Sequence, residues 1–209
     1  MAASIRSTAR SSASRAGRTR RVLPAEVRID ALMNAAAALF IARGVETTTV
    51  DDITAAAGVG KGTFYHYFAT KTDAVLALRE RFTRRFLDEV GAAVEACPPG
   101  DHHARFEAWL SGAVGAYLGN FELHDVVFHD FRHDRRRSDE KDAVIDQLAG
   151  ILSDGMQAGA WSLPDARATA IVLFDGMHGV VDDAIAAGRR DPAPLCRLLR
   201  QLFGRILKG

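Results

Sequence analysis

The stretch from Val45 to Lys71, VETTTVDDITAAAGVGKGTFYHYFATK, constrains this chain more than any other. Two short helical patterns flank a tight Gly58-Val59-Gly60 turn, and the second holds Lys61, Gly62, Thr63, Tyr65, His66 and Tyr67 within seven residues. Glycine reaches backbone angles closed to other residues, so it suits a sharp turn between helices. A helix, a short glycine turn and a second helix rich in hydrogen-bonding and aromatic side chains form a shape that fits a DNA major groove. The expectation is a DNA-binding regulator and not an enzyme.

The rest of the chain reads as helix. Ile29, Leu32, Met33, Ala36, Leu39 and Phe40 recur at spacings of three and four, and Gly44 stops that helix. Thr49 with Asp52, and Thr70 with Asp73, have the spacing of capping boxes that start a second helix through Ala57 and a long fourth one. The third runs from Lys61 to Phe68. The fourth carries Val75, Leu76, Phe82, Phe86, Val90 and Val94 on one side and ends at Cys97-Pro98-Pro99-Gly100. Apolar spacing predicts a fifth helix over Phe106–Phe121, a sixth over Leu123–Phe131, a seventh over Val144–Met156, and two more over Asp165–Gly188 and Pro194–Lys208. No alternating pattern supports a sheet. The expected fold is all-α with about nine helices: a basic arm over 1–24, a three-helix DNA-binding domain over 25–72, and a helical ligand-binding and dimerisation domain over 73–209.

Charge points the same way. Met1 to Asp73 holds ten Lys and Arg against six Asp and Glu, while the whole chain has a formal net charge of +1. A cationic N-terminal end suits a polyanion. Six of those cations are arginines in the first 21 residues, a Ser- and Ala-rich segment unable to build a core and expected to be disordered. Its composition fits a basic arm on DNA, with an organelle transit peptide as the alternative. No apolar run approaches the roughly 20 residues needed to span a bilayer. Cys97 and Cys196 stand far apart, outside metal-ligand spacing, and are expected as free thiols in a reducing compartment.

Taken together, Ile29…Ala35-Ala36…Leu39-Phe40…Gly44, Thr48-Thr49-Val50-x-x-Ile53 and Ala57-Gly58-Val59-x-Lys61-Gly62-Thr63-Phe64-Tyr65-His66-Tyr67-Phe68-x-x-Lys71 resemble the TetR family of bacterial repressors. The resemblance covers about 45 residues without a gap. It implies that Lys61, Thr63 and Tyr65 face the groove, that His66, Tyr67 and Lys71 anchor on the DNA backbone, and that Thr48 and Thr49 reach phosphate. Residue chemistry agrees in part. Phe64 and Phe68 would face the first helix near Leu39 and Phe40, Gly62 permits close approach, and threonine or tyrosine can touch base edges or phosphate. Two departures stand out. Gly60 replaces the serine frequent in the family, and Asp51 and Asp52 place negative charge near the expected phosphates, with Asp51 expected to point to solvent, the alternative being to accept from a cytosine amino group.

The resemblance further implies a cytoplasmic, nucleoid-bound homodimer on a pseudo-palindromic operator in double-stranded DNA, released by a small-molecule effector, with no cofactor. The last two helices would pair with their partners through Ile171, Phe174, Met177, Val181, Leu195, Leu199, Leu202 and Ile206, with Gly176 and Gly179 permitting close approach. Phe86, Trp109, Tyr117, Phe128, His129, Phe174 and His178 are candidates for an effector pocket, although core packing accounts for most aromatic residues equally well. The stretch HDVVFHDFRHD, from His124 to Asp134, sets His129 and His133 four apart, and His178 precedes Asp182 by the same interval. That spacing keeps open a zinc-responsive regulator or a metal-dependent hydrolase.

Overall fold

A computed structural model describes residues 24–130 and 138–208, with side chains in the first segment described through Phe128. The 1–24 arm lies outside these residues except for Pro24, as do the side chain of His129 and all of His133. The described residues form eight α-helices and no strand.

Helix α1 (Ala25–Arg43) ends where Gly44 takes φ 82° and donates its N–H to the Phe40 carbonyl at 2.8 Å. Helix α2 (Val50–Ala56) opens with a complete capping box. The Asp52 N–H donates to Thr49 Oγ1 at 3.1 Å, and the Thr49 N–H donates to Asp52 Oδ2 at 3.0 Å. Gly58 makes the turn with φ 66°, and α3 (Lys61–Tyr67) follows. The Thr70–Asp73 box starts α4 (Lys71–Glu95).

Asp101 caps α5 (His102–His124), which bends at Asn120. Where the apolar pattern predicts a separate sixth helix, the chain instead continues from α5 as a π-helical segment, Asp125–Asp130. The adjacent Val126 and Val127 are both buried in one core, while His124 and Phe128 also line a cavity. An α-turn spreads consecutive residues by about 100° and serves such a set poorly, whereas the wider i→i+5 turn accommodates it. Ser138 and Asp165 cap α6 (Asp139–Gln157) and α7 (Ala166–Ala186), and α8 (Pro192–Lys208) closes the described chain.

Two apolar cores result. The N-terminal one gathers Leu32 and Phe40 of α1, Ile53 of α2, Phe64 and Phe68 around α3, and Val75 and Leu78 of α4, with Val126 and Val127 inserted from the π segment. The second core is built on Trp109, Leu148, Leu152, Leu173 and Leu199 of the later helices. Both cysteines are free thiols, Cys196 in this second core. Helix α4 contributes to both cores, with Val90 and Val94 at its far end in the second.

Candidate nucleic-acid interface and effector cavity

Helix α3 has a buried side and an exposed side. Phe64 and Phe68 enter the N-terminal core with ring centroids 5.3 Å apart. Lys61, Gly62, Tyr65 and His66 are exposed, Tyr65 at 52%, and Thr63 is half-buried between them. Among the expected groove-facing residues, Tyr65 therefore stands out most. Lys61 turns toward α2, where its Nζ lies 2.9 Å from Asp51 Oδ1, and this hydrogen bond raises the ammonium pKa. Asp51, expected to point to solvent, is exposed and also paired with Lys61. An ion pair this exposed contributes little to stability.

Other predicted contacts are engaged within the protein. Thr48 is only 1% exposed and its hydroxyl donates to the Gly44 carbonyl at 2.8 Å, closing the loop after α1. Burial withdraws this side chain from any external phosphate. Thr49 is exposed but occupied by the capping box. The Lys71 ammonium donates to the carbonyls of Glu46 at 3.1 Å and Thr48 at 3.0 Å, fastening the start of α4 to the same loop. The Tyr67 hydroxyl donates to the Ala25 carbonyl at 3.0 Å and ties α3 to the start of α1. The Tyr67 hydroxyl thus spends its one donor inside the protein, whereas the Lys71 ammonium spends two of its three and keeps one. Gly60 precedes α3 without a side-chain cap.

A cavity of about 340 Å³ lies among α4, α5, α6 and α7. Five of the predicted pocket residues meet there: Phe86, Tyr117, Phe128, Phe174 and His178. Trp109 does not. It is fully buried, and its Nε1–H donates to Gln147 Oε1 at 3.2 Å while Gln147 Nε2 donates to the Leu87 carbonyl at 3.0 Å, a link joining α5, α6 and α4.

The residues missed from sequence are mainly polar: Arg79, His124, Glu140 and Lys141. Arg79 shares its helix face with Phe82, Thr83 and Phe86, at intervals of three, four and seven, a helical spacing that is legible in the sequence. The Tyr117 hydroxyl donates to Asp182 Oδ1 at 2.5 Å, and burial together with this bond holds its pKa far above the ordinary phenol value. Burial lowers the pKa of His178. Among the described residues, no three His, Cys, Asp or Glu gather as a metal-binding set.

The outer helices show which apolar residues serve the protomer. Met177, Val181, Leu195 and Leu199 are buried inside the chain, and Phe174 borders the cavity. Of the predicted dimer set, Ile171, Leu202 and Ile206 are exposed. They are joined by Val172, at 59%, and Leu198. Leu198, Leu202 and Ile206 recur every four residues along α8, and Val172, Gly176 and Gly179 share an exposed stripe on α7.

These arrangements have counterparts among known proteins. Residues 32–78 match the family model described as bacterial regulatory proteins, tetR family. Over 140 residues the chain is 42% identical to the HTH-type transcriptional repressor KstR2 of Rhodococcus jostii, covering 62% of this chain and 66% of that protein. Over 90 residues it is 37% identical to the HTH-type transcriptional regulator TcmR of Streptomyces glaucescens, covering 43% of this chain and 37% of that protein. The matched regions thus span less than two thirds of either relative's length. The fold is similar to that of the transcriptional regulator FadR from Bacillus subtilis, solved in complex with stearoyl-CoA, with a TM-score of 0.69 at 19% identity over 86% of this chain and 98% of that one. With its helix-turn-helix matched in sequence and its helical architecture matched in structure, the chain belongs to the TetR family of bacterial regulators.

Proposed function

We propose that this protein is a homodimeric transcriptional repressor that leaves a pseudo-palindromic operator when a small molecule fills the cavity among α4–α7. The observation that carries this reading is the double attachment of the cavity wall to the DNA-binding unit. Helix α4 starts at Lys71, bonded to the loop before α2, and presents Arg79, Phe82 and Phe86 to the cavity about two to four turns later. The π segment supplies Phe128 to the cavity and Val126 and Val127 to the N-terminal core. A ligand that displaces the wall acts on both links and so on the spacing of two recognition helices.

Two such helices in a dimer would read half-sites about one helical turn, roughly 34–36 Å, apart. The exposed stripes of α7 and α8 are the surfaces proposed to pair. An effector preferring the misaligned dimer by about 1–3 kcal/mol would weaken operator binding about 5- to 150-fold, and DNA would weaken effector binding by the same factor. Repression by a bacterial regulator of this kind is exercised in the cytoplasm, on the nucleoid.

Genome-wide DNA occupancy tests the reading. A palindromic motif at few sites is the expected result, and uniform coating of DNA would overturn it.

A further inference from the structure

The polar groups of the cavity have hydrogen-bonding roles that select a ligand chemistry. His178 Nδ1 lies 3.0 Å from the Phe174 carbonyl oxygen. A carbonyl only accepts, so Nδ1 carries the proton and Nε2 offers a lone pair. Burial disfavours the imidazolium, which keeps the ring in this neutral form. Nε2 has no hydrogen-bond partner among the described residues, so the cavity lacks a donor there.

Arg79 supplies the complementary requirement. Its guanidinium lies over the Phe128 ring, 4.8 Å from the centroid, and its Nε is buried without a hydrogen-bond partner. No carboxylate among the described residues forms an ion pair with it. The other charged lining groups are engaged: Lys141 Nζ lies 2.6 Å from Asp175 Oδ1, and Glu140 accepts from Ser138 Oγ at 2.5 Å. Arg79 is therefore the cation left for an incoming anion. Between these groups the walls are aromatic, with Tyr117 4.9 Å and Phe174 4.2 Å from His178, and Phe82 5.8 Å from Phe128 by ring centroids. Such rings favour offset or edge contact with another flat ring. At about 340 Å³ the space is at the small end for ligand sites, which suits a compact ring system.

We propose that the cavity binds a hydroxylated aromatic carboxylate, with its carboxylate on Arg79, its ring system among Phe82, Tyr117 and Phe128, and its hydroxyl donating to His178 Nε2. This assignment rests on the reading of the cavity as the effector site and names the effector's chemical class.

Calorimetric titration of the full chain with hydroxynaphthoate, naphthoate, naphthol and naphthylmethylamine tests it. Hydroxynaphthoate is expected to bind tightest, with naphthol about tenfold to a hundredfold weaker for want of the charge-assisted bond and naphthoate about two- to tenfold weaker. Arg79→Met should erase the preference over naphthol alone, Arg79→Lys should keep part of it, and His178→Phe should erase the preference over naphthoate alone. The ligand comparisons on the unmodified chain stand even if a variant misfolds. Absence of hydroxynaphthoate binding, equal affinity for all four compounds, tighter binding of the amine, or stearoyl-CoA bound where hydroxynaphthoate cannot displace it would each overturn the assignment. Operator binding is read separately. Retained operator binding without hydroxynaphthoate binding sinks the ligand class alone, whereas hydroxynaphthoate binding without any operator sinks the repressor reading alone.

Discussion

Val127 and Phe128 are neighbours in the chain but serve different sites: Val127 is fully buried in the N-terminal core that also holds Phe64 of α3, and Phe128 forms part of the cavity wall. The π-helical turn that carries them makes this placement possible, and π-turns concentrate at functional sites. Val127→Ala is expected to lower stability by about 1–3 kcal/mol through lost burial and an unfilled space. Effector affinity should change little, while effector-driven loss of operator binding should shrink. Chemical denaturation and operator titration with and without effector measure the two effects. Full release by the variant would show that α4 transmits the signal without the π segment.

The recognition surface yields contrasting variants. Tyr65→Ala should weaken operator binding by about 1–3 kcal/mol per half-site, if its exposed ring meets a base edge, and leave thermal stability unchanged. Lys71→Met should behave oppositely. It removes the bonds to the Glu46 and Thr48 carbonyls, so the loss appears in folding stability while the salt dependence of DNA binding stays near that of the unmodified protein. A salt slope reduced by about one per half-site would instead return Lys71 to the phosphates.

The two sides of α8 separate assembly from folding. Leu202→Glu, on the exposed stripe, should give a folded monomer by light scattering, with operator affinity largely lost because the half-sites are no longer linked. Leu199→Glu puts a charge at a position that is 0% exposed and should unfold the protein. A dimeric Leu202→Glu protein would move the interface elsewhere.

His178 makes stability pH-dependent on the acid side. Burial lowers its folded pKa below the ordinary 6.5, so the unfolded chain binds the proton more readily. The cost is absent well above 6.5 and grows as pH falls from 6.5 toward the folded value. Unfolding followed from neutral to mildly acidic pH should show falling stability, and His178→Phe should flatten that slope. An unchanged slope in the variant would assign the dependence to other groups.

Gly155 lies against Trp161, where an added Cβ would sit 2.1 Å from the indole carbon Cζ2. The indole is held by its own bond from Nε1 to the Leu152 carbonyl at 2.7 Å and cannot simply step aside. Gly155→Ala should therefore destabilise by about 1–3 kcal/mol despite alanine's better helix propensity, as thermal unfolding would report. A rise in melting temperature would mean that the ring relocates freely.

Local rules of the amino-acid sequence alone determine most of the helices, their caps and the helix-turn-helix motif, though not the π-helical continuation of α5. The Thr49–Asp52 and Thr70–Asp73 boxes and the turns at Gly44 and Gly58 depend on residues three or four apart, and Phe64 and Phe68 are assigned inward by spacing. Which side chains are already engaged is a tertiary matter. Lys71 meets carbonyls some 25 residues earlier in the chain and Tyr67 meets one 42 residues away, contacts that no helical period predicts. The same holds for α8, where Leu195 and Leu199 form one apolar stripe and Leu198 and Leu202 another. Spacing makes both apolar, and only the packing of the other helices decides which of them is buried in the protomer and which remains exposed. Arg79 and His178 likewise become cavity groups only when four helices meet, because a ligand site depends on distances between elements and sequence period orders residues only within one.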